Sequence, residues 1–249
     1  MKAGRVIRTG LTLAMLTAVG FASAQAIPLV DGMPAVGGGT NYTVPVQTVL
    51  LLSALSFLPA ALMLMTSFTR ILIVFSLLRQ ALGLQAMPPN SVLVALSLFL
   101  TYFVMSPVFD EMYQKGWQPY ARKEIALETA LDRGSQPLKA FMVNHTRATD
   151  LQMFSRLARE PLTDRESAPL RVVVPAFAIS EIRTGFLIGF VVFLPFLVID
   201  LAVASILTSV GMVMVSPVMF SLPLKLIVFT LADGWSLLAG ALVESFLTK

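Results

Sequence analysis

The chain has 249 residues, 56% of them hydrophobic and only 13% charged, with a mean hydropathy of +0.80. A soluble domain is about half apolar and about a quarter charged, so much of this surface is destined for lipid or for protein partners. The absence of cysteine excludes disulfides and thiol chemistry, and the net charge of +4 is scattered without a basic stripe, which argues against nucleic acid as a partner.

Residues 1–26 read as a signal peptide. Lys2, Arg5 and Arg8 form a positive start, Leu11 to Val19 a short apolar stretch, and Ala22-Ser23-Ala24 and Ala24-Gln25-Ala26 two small-x-small cleavage sites. The apolar stretch falls short of the roughly 20 residues that cross a bilayer. Cleavage is therefore expected to leave Gln25 or Ile27 first, the alternative being a retained anchor. Residues 27–45 carry Pro28, Gly32, Pro34 and Gly37-Gly38-Gly39 and read as a flexible lead.

Residues 46–109 hold two apolar runs. Val46 to Met65 is 20 residues without a charge, and the pattern continues to Leu78, interrupted only by Arg70. The Met87-Pro88-Pro89-Asn90 corner ends it, because proline removes a donor and restricts its predecessor. Ser91 to Phe109 follows at once, so the spacing predicts a helical hairpin.

Residues 110–184 are a different material, with 11 Lys/Arg and 10 Asp/Glu. Helical spacing over Glu124 to Leu131, with Gly134 as a stop, and again over Pro137 to Ala158 predicts a water-exposed helical module. Its one histidine, His145, reads as a surface residue, because a metal site needs several ligands. Neither a nucleophile elbow, nor a metal-spaced histidine pair, nor a phosphate loop occurs. The sequence argues against catalysis and calls for no cofactor.

Residues 185–249 form the second apolar block, Gly185 to Ala204 and Leu224 to Phe246, joined through a charge-free segment. Prolines at 59, 195, 217 and 223 are expected to kink these helices. The fold class is thus all-α and membrane-associated: two long kinked helical hairpins flanking a charged helical module, four membrane helices in all. A cleaved signal peptide puts that module in the periplasm of a bacterial inner membrane protein. Arg70 and Arg79, with no acid between Thr66 and Asn90, then agree with the positive-inside tendency.

Charges inside an apolar block are costly unless paired or functional. If the last block folds back near Met212, Asp200 and Lys225 lie at equal distances from the turn and reach the same height. They are expected to pair, as a structural device in preference to a proton relay. At the turn itself stands Gly211-Met212-Val213-Met214-Val215-Ser216-Pro217. Methionine packs around irregular shapes and opens again at little cost. Ordinary packing explains scattered methionines equally well, but a glycine-started, proline-ended tip is suited to project side chains into a symmetric pore.

The motifs Thr66-Ser67-Phe68-Thr69-Arg70-Ile71, Leu78-Arg79-Gln80-Ala81-Leu82-Gly83, Pro88-Pro89-Asn90 and Phe103-Val104-Met105-Ser106-Pro107 resemble the FliP family. So do Phe141-Met142, Thr146-Arg147, Asp150-Leu151 and Phe154, then Ser180-Glu181-Ile182-Arg183-Thr184, Leu194-Pro195-Phe196 through Asp200-Leu201, Leu222-Pro223 with Lys225-Leu226, and Asp233-Gly234-Trp235. The resemblance implies a pentameric arrangement that joins FliQ and FliR, with FlhA and FlhB, in the flagellar export gate, a conduit for unfolded substrates. It implies a methionine-rich gate loop at Gly211, Met212, Val213 and Met214, where Val213 departs from the usual methionine. It also implies subunit packing through Phe141, Phe154 and Glu181, and hairpins held largely by other subunits above the bilayer plane. A small-solute transporter and a poreless assembly scaffold remain as alternatives, although the repeats of a transporter are not visible.

Overall fold

The computed structural model describes residues 31–34, 40–43, 46–160, 164–212 and 214–247. The signal peptide and its cleavage sites lie outside the described residues. Within the expected lead, β1 (Asp31–Pro34) and β2 (Thr40–Thr43) pair antiparallel, Asp31 opposite Thr43. Among the described residues this small ribbon is the exception to helix and turn, and no apolar periodicity announces it.

The helices are α1 (Val46–Leu64), α2 (Phe68–Ala81), α3 (Asn90–Met112), α4 (Gln118–Ala121), α5 (Leu127–His145), α6 (Ala148–Ala158), α7 (Leu170–Ser209), α8 (Pro217–Leu231) and α9 (Gly234–Leu247). A π-helical turn over Tyr113–Trp117 carries α3 into α4, so the rod runs unbroken for 32 residues from Asn90 to Ala121. Two compact units divide between Leu58 and Pro59. The second holds the buried apolar core.

Its core is built on α2. Ile71, Val74, Phe75 and Leu78 are fully buried at the i, i+3, i+4, i+7 spacing of one helix face. Each such side chain contributes about 1.5–3 kcal/mol by leaving water. They meet Leu93 and Met105 of α3, Met142 of α5, Val173 and Phe177 of α7, and Leu242 of α9.

The largest interface joins α2 to α7, and two glycines make it close. A Cβ on Gly185 would lie 3.2 Å from Ile73 Cβ, and one on Gly189 would lie 2.2 Å from Leu77 Cδ1 and 3.0 Å from Leu77 Cβ. Both contacts step four residues along each helix, so α2 and α7 run parallel over a Gly-x-x-x-Gly seam. At about 60 Å, the 40 residues of α7 are twice as long as hydrocarbon is thick. Part of that helix therefore stands outside lipid.

Several sequence expectations are corrected here. The first apolar run is broken at Met65–Ser67 instead of continuing to Leu78. Gly134 does not stop a helix: α5 runs through it and Pro137, and the glycine gives room for Gly116, whose Cβ would lie 2.9 Å from Gly134 Cα. The single helix expected over 137–158 breaks at Thr146–Arg147. The prolines expected to kink helices need no such correction: α1, α7 and α8 run through Pro59, Pro195 and Pro223 without ending, and Pro217 opens α8, where a missing N–H costs nothing.

Candidate functional site

The turn between α7 and α8 is shaped by its ends. Gly211 has φ +83°, donates its N–H to Thr208 O at 3.0 Å, and is followed by Met212, whose N–H reaches Leu207 O at 2.9 Å. This paired arrangement terminates a helix on a left-handed residue that glycine adopts without a Cβ penalty. Nothing lies within 4 Å of where a Gly211 Cβ would be. Met212 is 40% and Met214 100% exposed. Val213 lies outside the described residues.

Below the turn the hairpin is clasped to α2. Lys225 Nζ donates to Asp200 Oδ2 at 2.6 Å and to the Ala81 carbonyl at 2.9 Å, while Ser221 Oγ donates to Asp200 Oδ1 at 2.5 Å. Lys225 is almost fully buried and Asp200 about a quarter exposed. The expected partners thus meet, and the group also ties both arms of the hairpin to the last carbonyl of α2. Ser221 and Ala81 gave no sequence signal, because a hydroxyl and a backbone oxygen carry no distinctive spacing.

A second clasp lies at the opposite end of the α2–α7 seam. Arg70 Nε donates to Glu181 Oε2 at 2.8 Å and Nη2 to Oε1, with both side chains inaccessible to water. Nη1 reaches Ser245 Oγ at 3.0 Å and its carbonyl at 3.4 Å, and the guanidinium carbon sits 3.8 Å above the Phe246 ring. Arg70 is therefore an internal charge and does not count toward the positive-inside asymmetry. Arg79 is spent on the α2–α3 turn, donating to Asn90 Oδ1 at 2.6 Å and Pro88 O at 3.2 Å.

Of the residues expected to pack subunits, two are buried within the chain itself. Phe141 is buried in the chain's own aromatic core, with ring centroids 5.9 Å from Phe177 and 6.1 Å from Phe246. Glu181 is fully buried against Arg70. Phe154 packs against the core but stays half-buried. His145, expected on the surface, is buried between Phe141 and Phe246.

Two described helices, Asn90–Ala121 and Leu170–Ser209, are long and apolar enough to cross a membrane, and up to four spans result if each bent pair counts as one. The bend between α8 and α9 is 63°. It sits at Asp233, whose φ is +49°, before a Gly234 on which any Cβ would meet the Phe229 ring at 2.2 Å. Among the described residues no cluster of three or more His, Cys, Asp or Glu is placed to hold a metal.

Residues 51–242 match the model of the FliP family. The chain belongs to the FliP family. It is 51% identical over 243 residues to the flagellar biosynthetic protein FliP of Pectobacterium carotovorum subsp. carotovorum, covering 97% of this chain and 94% of that one. It is 49% identical over 221 residues to the protein of that name from Buchnera aphidicola subsp. Baizongia pistaciae, covering 88% of this chain but 61% of a longer relative. The Bacillus subtilis protein of that name is 48% identical over 210 residues, with 83% and 94% covered. The family match spans the Asp200–Lys225 clasp, the Arg70–Glu181 pair, the glycine seam and the methionine turn, in a chain with helices apolar enough to cross a membrane.

Proposed function

We propose that this chain is a channel-forming subunit of the flagellar protein export gate, passing unfolded flagellar proteins across the bacterial inner membrane. The FliP relatives are flagellar biosynthetic proteins. A chain of this family is an export component and not an enzyme. The observation that carries the channel reading is the methionine turn: Met214 is wholly exposed and Met212 partly so, on a tip anchored from below by Lys225, Asp200 and Ser221. An exposed apolar tip on a fixed stalk has use only where something else surrounds it.

In a ring of copies the tips meet and exclude water, and hydrophobic constrictions close to ions by dewetting. Thioether side chains re-pack around a passing chain of any sequence. The remaining apolar faces need cover as well: Phe186, Phe190 and Val198 of α7, and Phe99, Tyr102 and Phe103 of α3, are more than half exposed. Five copies together with FliQ and FliR, docked on FlhA and FlhB, would cover them outside the bilayer, where part of α7 stands. The charged module over 110–184 then faces the periplasm.

A photocrosslinker placed at Met214 in the assembled gate tests this reading. With an export substrate arrested in transit, the crosslink is expected to form with the substrate. A crosslink that forms only with lipid, whether or not substrate is present, would contradict the channel and favour a scaffold.

A further inference from the structure

We propose that the groove between α3 and the end of α1 holds one acyl chain of a membrane phospholipid. The groove has a volume of about 300 Å³ and lies wholly within the second unit. Leu62 and Met63 of α1 form one wall and Leu98, Tyr102 and Phe109 of α3 the other, and no charged side chain lines it. Its floor is the buried Phe68, Thr66 and Thr101. Both floor hydroxyls are spent within the chain: Thr101 Oγ1 donates to Ser97 O at 2.6 Å and Thr66 Oγ1 to Met63 O at 3.2 Å. The floor therefore presents carbon surface and asks no hydrogen bond of an occupant.

That chemistry separates the occupants. Extended backbone brings N–H and C=O groups that such walls leave unbonded, at a cost for each one taken from water. A helix satisfies its own backbone but is ~10 Å across, so laid along the groove it would fill roughly 1,200 Å³, about four times the space. Water needs roughly 2–4 polar partners and the floor supplies none. An empty groove forfeits the carbon contacts on its open side. A hydrocarbon chain is thin, brings no polar group and restores those contacts.

The surroundings supply such a chain. α3 belongs to the apolar rod Asn90–Ala121, one of two described helices able to cross a membrane, and Phe99 and Phe103 beside the groove are more than half exposed. The groove is continuous with the face this rod turns to lipid. Leu98 and Phe109 stand 11 positions apart. That is ~16 Å of helix rise, about half of the ~30 Å of hydrocarbon and so the depth of one leaflet. Just past Phe109 come Asp110 and Glu111, the latter paired in the open with Lys115, and the exposed rings of Tyr113 and Trp117. Such rings mark the headgroup level. Carboxylates and an ammonium side by side there suit a zwitterionic headgroup, as in phosphatidylethanolamine. The site is independent of the channel reading, since it is complete within one chain.

The test uses the full chain in vesicles of phosphatidylethanolamine doped with the same lipid carrying a diazirine at mid-chain. Leu187 and Leu201 of α7 serve as leucines on an apolar face without a groove. They are the more exposed pair, 54% and 61% against 49% for Leu62 and 43% for Leu98, so accessibility alone would give them more adducts. A held chain reverses that order: after photolysis Leu62 and Leu98 are expected to carry about threefold more, the effect of a handful of added carbon contacts. Met63→Trp fills the groove and should bring Leu98 down to the level of Leu187, with Leu187 unchanged. Equal or greater labelling of the α7 leucines in the wild type would overturn the proposal, as would Leu98 adducts that ignore Met63→Trp. So would a photocrosslinker at Tyr102 that joins a second copy of the chain instead of lipid. Should Met63→Trp fail to fold, the wild-type order decides alone.

Discussion

Replacing Glu181 with alanine strips Arg70 of its carboxylate while leaving the guanidinium 2% exposed inside the chain. Removing one partner of a buried ion pair costs roughly 3–5 kcal/mol. Arg70 keeps its bond to Ser245 Oγ at 3.0 Å and its seat on Phe246, which places the loss near the lower end, about 3 kcal/mol. For a chain of this size about 2–4 °C of melting temperature goes with each kcal/mol, giving a drop of ~6–12 °C. Thermal unfolding of the full chain in detergent reads it. Replacing both partners, Arg70→Leu with Glu181→Leu, should cost less than either single change, because the two desolvation penalties leave together. A double variant that loses the sum of the singles would refute the argument. So would Glu181→Ala that melts normally and lowers only the yield of oligomer, since that outcome returns Glu181 to a contact between subunits.

The seam between α2 and α7 gives a second test. Gly189→Ala drives a methyl into Leu77, and overpacking of this kind costs ~1–3 kcal/mol, more than the ~1 kcal/mol of helix propensity gained. Leu77→Ala in the same chain should recover most of the lost melting temperature, and Gly240→Ala, with nothing within 4 Å, should lose none. At the other clasp, Asp200→Ala leaves Lys225 with the Ala81 carbonyl alone and should cost about 3 kcal/mol. Exchanging the two charges should restore complex yield above either single reversal, and equal loss in all three would count against direct pairing. Phe154→Ala should lower recovery of the oligomer while helix content by circular dichroism is unchanged; loss of helicity would place the ring in the chain's own core beside Phe141.

Strong periodicity and charge contrast made the architecture legible. Long apolar runs separated by a charged stretch require helices that hide in lipid or protein, whatever their neighbours. Equal spacing about Met212 was enough to bring Asp200 to Lys225, because an antiparallel hairpin converts sequence distance into height. Arg70 and Glu181 escaped the same logic. They stand 111 residues apart on helices that run parallel, and nothing in either segment reports that pairing. The signal that was available is Gly185-x-x-x-Gly189, four residues after Glu181, which marks a face built for close approach by another helix. Gly134 misled for a related reason: spacing alone does not distinguish a glycine that ends a helix from one that makes room for another backbone. His145 looked like a surface residue because it stands between Asn144 and Thr146, yet the rings of Phe141, one turn back, and Phe246 of α9 bury it.

The channel reading stands or falls on the turn at Met212 and Met214. Converting both to alanine removes bulk from every copy of an exposed tip while touching neither Asp200, Ser221 nor Lys225. The complex should therefore assemble in normal amounts, and around a ring the missing volume should open a path for water and ions. Membrane conductance and complex yield measured in the same cells decide it. The prediction is wild-type yield with an ion leak and partly retained secretion; a stable complex with wild-type conductance would contradict the gate.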